Sequence, residues 1–132
     1  MTENQISYQI RGAIYDVYKT LGPGLLESVY EEALCYELEQ RGLAVERQKQ
    51  VPIVYKGTTV YKGTTLKSDF RLDLLVENKV IIELKSVSEM KDVFFKQTLT
   101  YCKLLGKKLG ILVNFNVDDI LDEAIFRVAN GL

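Results

Sequence analysis

Asp73, Glu83 and Lys85 lie close together in the segment Arg71-Leu-Asp-Leu-Leu-Val-Glu-Asn-Lys-Val-Ile-Ile-Glu-Leu-Lys85. With Asn78 at the centre of a tight turn, this segment is a hairpin and Asp73 falls opposite Glu83. Side chains alternate along a strand. Asp73, Leu75, Ile81, Glu83 and Lys85 then share one face, while Leu72, Leu74, Val76, Ile82 and Leu84 line the other. Both faces are largely apolar, so both need cover from helices or other chain. Two carboxylates placed across a hairpin repel each other, and burial penalises their ionised forms. A divalent cation relieves both penalties. Carboxylate oxygens are hard ligands that suit Mg2+ or Mn2+. Lys85 projects into the same place. A plain ion pair between Lys85 and Asp73 or Glu83 at a sheet end fits the same spacing, and spacing alone leaves both readings open.

Two further sets of polar residues recur at helical spacing. Gly24, Glu27 and Tyr30 fall on one stripe of a helix, and Gln97 and Tyr101 stand one turn apart on another. Taken singly, each fits an ordinary surface residue. The chain has no histidine. That excludes serine–histidine and cysteine–histidine nucleophiles and zinc hydrolases with histidine ligands. Hydrolytic chemistry here must run on carboxylates, lysine and tyrosine, with or without a hard metal ion.

The elements that must position these residues follow from the pattern. Ile6, Ile10, Ala13, Val17 and Leu21 are spaced as the buried stripe of a helix, which Gly22-Pro23-Gly24 breaks. A second helix is expected from about Leu26 to Arg41, with Val29, Ala33 and Leu38 in its stripe and Gly42 as its stop. Val45, Val51, Ile53 and Tyr55 predict extended chain, and Pro52 marks an edge. A direct repeat follows, Val-Tyr-Lys-Gly-Thr-Thr at 54–59 and again at 60–65. Two copies are too few for a repeat architecture. They suit a duplicated hairpin tip, or a longer ribbon whose exposed edge pairs with a second copy of the chain. Asp69 to Val76 and Lys79 to Val87 are strands, Asp92 to Leu105 a helix ended by Gly106, and Leu109 to Phe115 a buried strand. Asp118 to Leu121 suggests a helical turn, and Ala124 to Ala129 a last strand or short helix. This mixed order predicts an α/β fold, a central mixed sheet flanked by helices.

The bulk numbers agree with one domain. The chain has 132 residues, enough for a single core. Its two cysteines, Cys35 and Cys102, lack the spacing of a zinc or disulfide framework and suit apolar packing. No apolar run reaches the roughly 20 residues that cross a bilayer. Residues Met1 to Tyr8 carry no signal-peptide pattern, so the cytoplasm is the expected compartment. Net charge is −1, which gives no overall attraction to nucleic acid. The distribution is uneven. Between Arg47 and Arg71, Arg47, Lys49, Lys56, Lys62, Lys67 and Arg71 face Asp69 alone, whereas Glu27 to Glu46 is acidic. The basic stretch could meet phosphates or simply defend a solvated β-edge.

These residues together carry a resemblance. Gly24-Leu-Leu-Glu27-Ser-Val-Tyr30 resembles the signature of the GxxExxY protein family, which is grouped with the PD-(D/E)XK nuclease superfamily. Asp73 followed by Glu83-Leu-Lys85 resembles the D…ExK motif of that superfamily. Gln97-x-x-x-Tyr101 resembles the QxxxY motif of its RecB-like members. ExK or QxxxY alone is weak; the ordered set covers most of the chain, from about Leu21 to Phe115. The tandem copy at 54–65 departs from the family's single Tyr-Lys-Gly hairpin, which puts the substrate-facing edge in question.

The resemblance implies a restriction-endonuclease-like fold and a nuclease acting on DNA with Mg2+ or Mn2+. Asp73 and Glu83 would bind the ion, with Glu27 the helix acid that completes or tunes the site. Lys85 would orient the attacking water and the scissile phosphate. Gln97 and Tyr101 would position phosphate or water. Two rivals stand beside it: a catalytically silent binding or regulatory module of the same fold, oligomeric through 54–65, and a metal-dependent enzyme acting on another phosphate ester. Fold does not choose among them.

Overall fold

The computed structural model describes residues 1–55, 58–61, 70–120 and 123–132, and side chains for these except 54–55 and 58–61. The chain opens with two helices, α1 (Glu3–Leu21) and α2 (Glu27–Gln40). Strands β1 (Val45–Gln50), β2 (Ile53–Tyr55), β3 (Thr58–Tyr61), β4 (Arg71–Val76) and β5 (Val80–Lys85) follow, then α3 (Asp92–Leu105), β6 (Leu109–Asn114) and β7 (Ile125–Ala129).

Thr2 and Gln5 start α1 as a reciprocal capping box. Gly106, in left-handed backbone, ends α3 as the sequence predicts. Five strands form one sheet in the order β1-β4-β5-β6-β7. All neighbours are antiparallel except β5 and β6, which run parallel because α3 crosses between them. The expected mixed sheet flanked by helices is present. Its last segment is a strand, not a short helix.

Both sheet faces are covered. One face packs Leu74, Val76, Val80, Ile82, Leu84, Ile111 and Val113 against Ile6, Ile10 and Ile14 of α1 and Tyr30, Leu34 and Leu38 of α2. The opposite face packs Leu72, Leu75 and Ile81 against Tyr101 and Cys102 of α3. Both cysteines are free and buried. β1 is an edge of the sheet, and exposed Pro52 follows it. Beyond Pro52, β2 and β3 pair antiparallel as a separate ribbon drawn from residues 53–55 and 58–61. Residues 56–57 of the first repeat copy and 62–65 of the second lie outside the described residues.

Four expectations need correction. The buried stripe of α2 is Tyr30, Leu34 and Leu38, with Glu31 and Cys35 beside it, and Val29 is exposed. The register of α2 turns Tyr30 inward, where its ring stacks on Phe115 with centroids 4.4 Å apart. Leu21, the last residue of α1, is also exposed. Asp118 lies in a bend and Asp119 and Ile120 in irregular chain rather than a helical turn, while Leu121 lies outside the described residues. Finally, Leu72 packs with Leu75 and Ile81 on the α3 face, not with Leu74. The regular alternation of β4 therefore breaks at the residue between them, Asp73.

Candidate active site

The hairpin register is the expected one: Val76 pairs with Val80, Leu75 with Ile81 and Leu74 with Ile82. Left-handed backbone at Glu77 and Asn78 makes the turn. Asp73 and Glu83 come next, and there the ladder changes character. The Asp73 N–H donates to Glu83 Oε2 at 2.7 Å, and the Leu84 N–H donates to Asp73 Oδ2 at 2.8 Å. Each carboxylate thus takes a backbone donor of the opposite strand. The strands splay, and the two acids fill the gap.

This arrangement concentrates negative charge in a place short of water. Glu83 is buried. Burial, and next the charge on Asp73, push its carboxyl well above the ordinary carboxylate range. Burial also raises Asp73; the Leu84 N–H works against that rise, and the charge of Glu31 adds to it. Cys102 on α3 is pushed up to about 11, first by burial and then by Glu83. The pair therefore favours any positive charge it can take up, a proton or a cation.

Other sequence-predicted residues arrive from both helical layers. Lys85 follows Glu83 on β5, and its Nζ lies 4.4 Å from the centre of the Phe94 ring on α3. It forms no described salt bridge with Asp73 or Glu83, so the plain ion pair is not the arrangement found. Glu27 opens α2, and its Oε2 accepts the Ser86 N–H at 3.3 Å. The Ser86 hydroxyl donates to the Leu25 carbonyl. Tyr30 explains the spacing of this motif. Its hydroxyl donates to the Gly22 carbonyl at 2.6 Å and accepts the Leu25 N–H at 3.1 Å. Gly24, with φ of +95°, permits the turn that this requires. The motif is a loop tied down so that Glu27 reaches the end of β5.

On α3, Gln97 Nε2 donates to Tyr101 Oη at 2.9 Å, and Tyr101 is buried among Leu72, Leu75 and Ile81. The structure thus brings together Asp73 and Glu83, sets Glu27 beside the residue after Lys85, and joins Gln97 to Tyr101. Among the described residues, no three carboxylate or cysteine side chains converge as a ready-made ion cage. Asp73 and Glu83 nevertheless fit a hard cation: two crowded carboxylates, one buried and one half-buried, with oxygen donors and charge that Lys85 offsets only in part.

Three contributors were missed by sequence reasoning. Glu31, buried on α2, pairs with Arg47 of β1 at 3.1 Å. Gln48, also on β1, donates to Glu31 and lies 3.4 Å from Asp73 Oδ1. Asn114, paired beside Lys85 in the ladder, accepts the Val87 N–H at 3.1 Å and donates to the Val87 carbonyl at 3.0 Å, holding the exit of β5. Glu31 falls one turn beyond Glu27, and that spacing was the available signal. Gln48 and Asn114 carry no sequence signal, because their partners come from distant elements.

A comparison with protein-family models matches residues 4–128 to the PD-(D/E)XK nuclease superfamily. The match takes in all three helices and nearly the whole sheet, and the chain belongs to that superfamily. No curated protein and no solved structure matches it. Among the described residues, no helix is long and apolar enough to cross a membrane.

Proposed function

We propose that the chain is a metal-dependent nuclease that hydrolyses phosphodiester bonds in DNA. The observation that carries this reading is the splayed pair, Asp73 and Glu83, each bonded to the backbone of the other's strand beside Lys85. Asp73 and Glu83 would hold Mg2+ or Mn2+, with Glu27 approaching from α2. A bound ion there would acidify water and offset charge on the phosphate. Lys85 would leave the Phe94 ring to meet the scissile phosphate, adding positive charge where the transition state develops negative charge. Gln97 would orient phosphate or water from a side chain held by Tyr101.

The test is cleavage of single- and double-stranded DNA, and of RNA, with Mg2+ or Mn2+. Metal-dependent cleavage that disappears in Glu83→Ala and Lys85→Met supports the reading. Absence of cleavage, or cleavage that survives both substitutions, sinks it. Cleavage of only a small phosphate ester would favour an enzyme with another substrate.

The contact of Lys85 with Phe94 favours a second reading, a silent module of the same fold that keeps its lysine packed. That reading places a second copy of the chain, or another partner, on the segment 54–65. Light scattering of the intact chain and of a chain lacking one repeat copy tests it. An unchanged mass on deletion removes its support.

A further inference from the structure

We propose that Gln48 is a positioning residue for Asp73, and that Glu31 acts on the site through Gln48 rather than as a ligand. The proposal rests on the metal-centre reading above. Gln48 lies on the edge strand, where an exposed glutamine ordinarily extends into solvent. Here it does not. Arg47 pairs with Leu74 and Lys49 with Leu72, so Gln48 stands across from Asp73, where β4 loses its regular alternation. Its φ of +50° is a conformation that side-chain-bearing residues rarely adopt. Such backbone persists where surrounding contacts over-determine it, and it gathers at functional sites.

The contacts here are specific. A glutamine amide nitrogen carries two donors, so one Gln48 side chain can meet two carboxylate oxygens together. The Gln48 Nε2 donates to Glu31 Oε1 and reaches to 3.4 Å from Asp73 Oδ1. The other Glu31 oxygen takes the Arg47 guanidinium, with Nη2 at 3.1 Å and Nε at 3.3 Å. Glu31 is thereby buried, ion-paired with Arg47 and engaged at both oxygens, which suits an anchor. Asp73 in turn is held at Oδ2 by the Leu84 N–H and at Oδ1 by Gln48. Contacts at both oxygens fix the plane of the carboxylate, as partners behind a metal ligand do.

Calorimetric titration of Mn2+ separates an anchor from a ligand. Gln48→Met keeps the length of the side chain and removes its donors; it is expected to weaken Mn2+ binding about tenfold. Glu31→Gln should weaken it comparably, and the double variant should bind no more weakly than Gln48→Met alone. Wild-type affinity in Gln48→Met, or a further loss when Glu31→Gln is added, overturns the proposal. Gln48→Asn, which tolerates left-handed backbone better but is one methylene short, replaces Gln48→Met if that variant does not fold. A readout without metal completes the test, because the Leu84 N–H reports where the Asp73 carboxylate sits. Its amide resonance should move in either Gln48 variant while that of Ile81 stays. An unmoved Leu84 resonance overturns the proposal. Absence of Mn2+ binding in the wild type would instead overturn the metal-centre reading, and the Leu84 resonance would still decide the role of Gln48.

Discussion

The two edges of β5 are built differently. Along β6 the pairing is unbroken from Val80 with Leu109 to Lys85 with Asn114. Along β4 the backbone ladder runs only to Leu74 with Ile82, after which carboxylates replace carbonyls as acceptors. One edge is closed by an unbroken parallel ladder of backbone hydrogen bonds. The other is opened so that two acids occupy the same few ångströms. A regular strand on one side makes an irregular one tolerable on the other, since β5 is held in register by β6 whatever β4 does. Substitutions on the closed edge should therefore act on stability, and those on the open edge on chemistry and its pH dependence.

The largest expected effect breaks the closed edge. Ile111 on β6 is buried between Ile82 and Arg127 in the sheet. Ile111→Ala should cost about 2–5 kcal/mol of stability by leaving a cavity. Urea unfolding measures it. A loss below about 1 kcal/mol would show that the closed edge is not the anchor described here. Lys85→Met is the opposite case. It should lower turnover by about 100- to 1,000-fold, the range for losing one group aimed at developing charge, with little change in urea midpoint. Single-turnover cleavage beside unfolding decides, and a variant that unfolds without losing turnover would reverse the assignment.

Much of this arrangement is legible in the residues. Alternation and the turn at Asn78 are enough to set Asp73 against Glu83, because hairpin register follows from turn position. Gly22, Gly42 and Gly106 mark helix ends through backbone conformations that favour glycine. What stayed hidden depends on contacts between distant elements. Tyr30 reads as a polar residue spoiling a helix face, yet it is fully buried, because its hydroxyl finds partners in the loop before α2. Gln48 and Glu31 meet Asp73 only once α2, β1 and β4 are assembled. Leu72 changes face because the strand opens at Asp73, and a fixed period of two cannot anticipate that.

Gly110 ties the closed edge to α3 and carries an intermediate effect. A Cβ there would stand 2.7 Å from Thr98 Cγ2 and 3.1 Å from Cys102 Sγ, both on α3. Gly110→Ala must push α3 outward, at about 1–3 kcal/mol. The same helix carries Phe94, Gln97 and Tyr101, so turnover should fall along with stability. Unfolding and single-turnover cleavage together would show it. Lost stability with unchanged turnover would mean that α3 does not position the site.

The smallest effect belongs to the open edge and has an unusual sign. Burial raises the Glu83 carboxyl above its unfolded-state value of 4.5, so the folded chain binds this proton more tightly than the unfolded chain. Stability then falls as pH rises from the unfolded value toward the folded one, by at most about 1.4 kcal/mol per pH unit for one proton. Asp73, also raised, adds in the same direction. Other groups of the chain titrate over the same range, so the wild-type curve alone is not diagnostic. The difference between wild type and Glu83→Gln is. The amide carries no charge to bury, and the variant should gain stability relative to wild type as pH rises above about 4.5. Mn2+ should stabilise the wild type increasingly over the same interval, because it competes with the proton for the same oxygens. Thermal unfolding across pH, with and without Mn2+, measures both. If Glu83→Gln instead loses stability with rising pH relative to wild type, the Glu83 carboxylate is well satisfied where it stands and needs no cation.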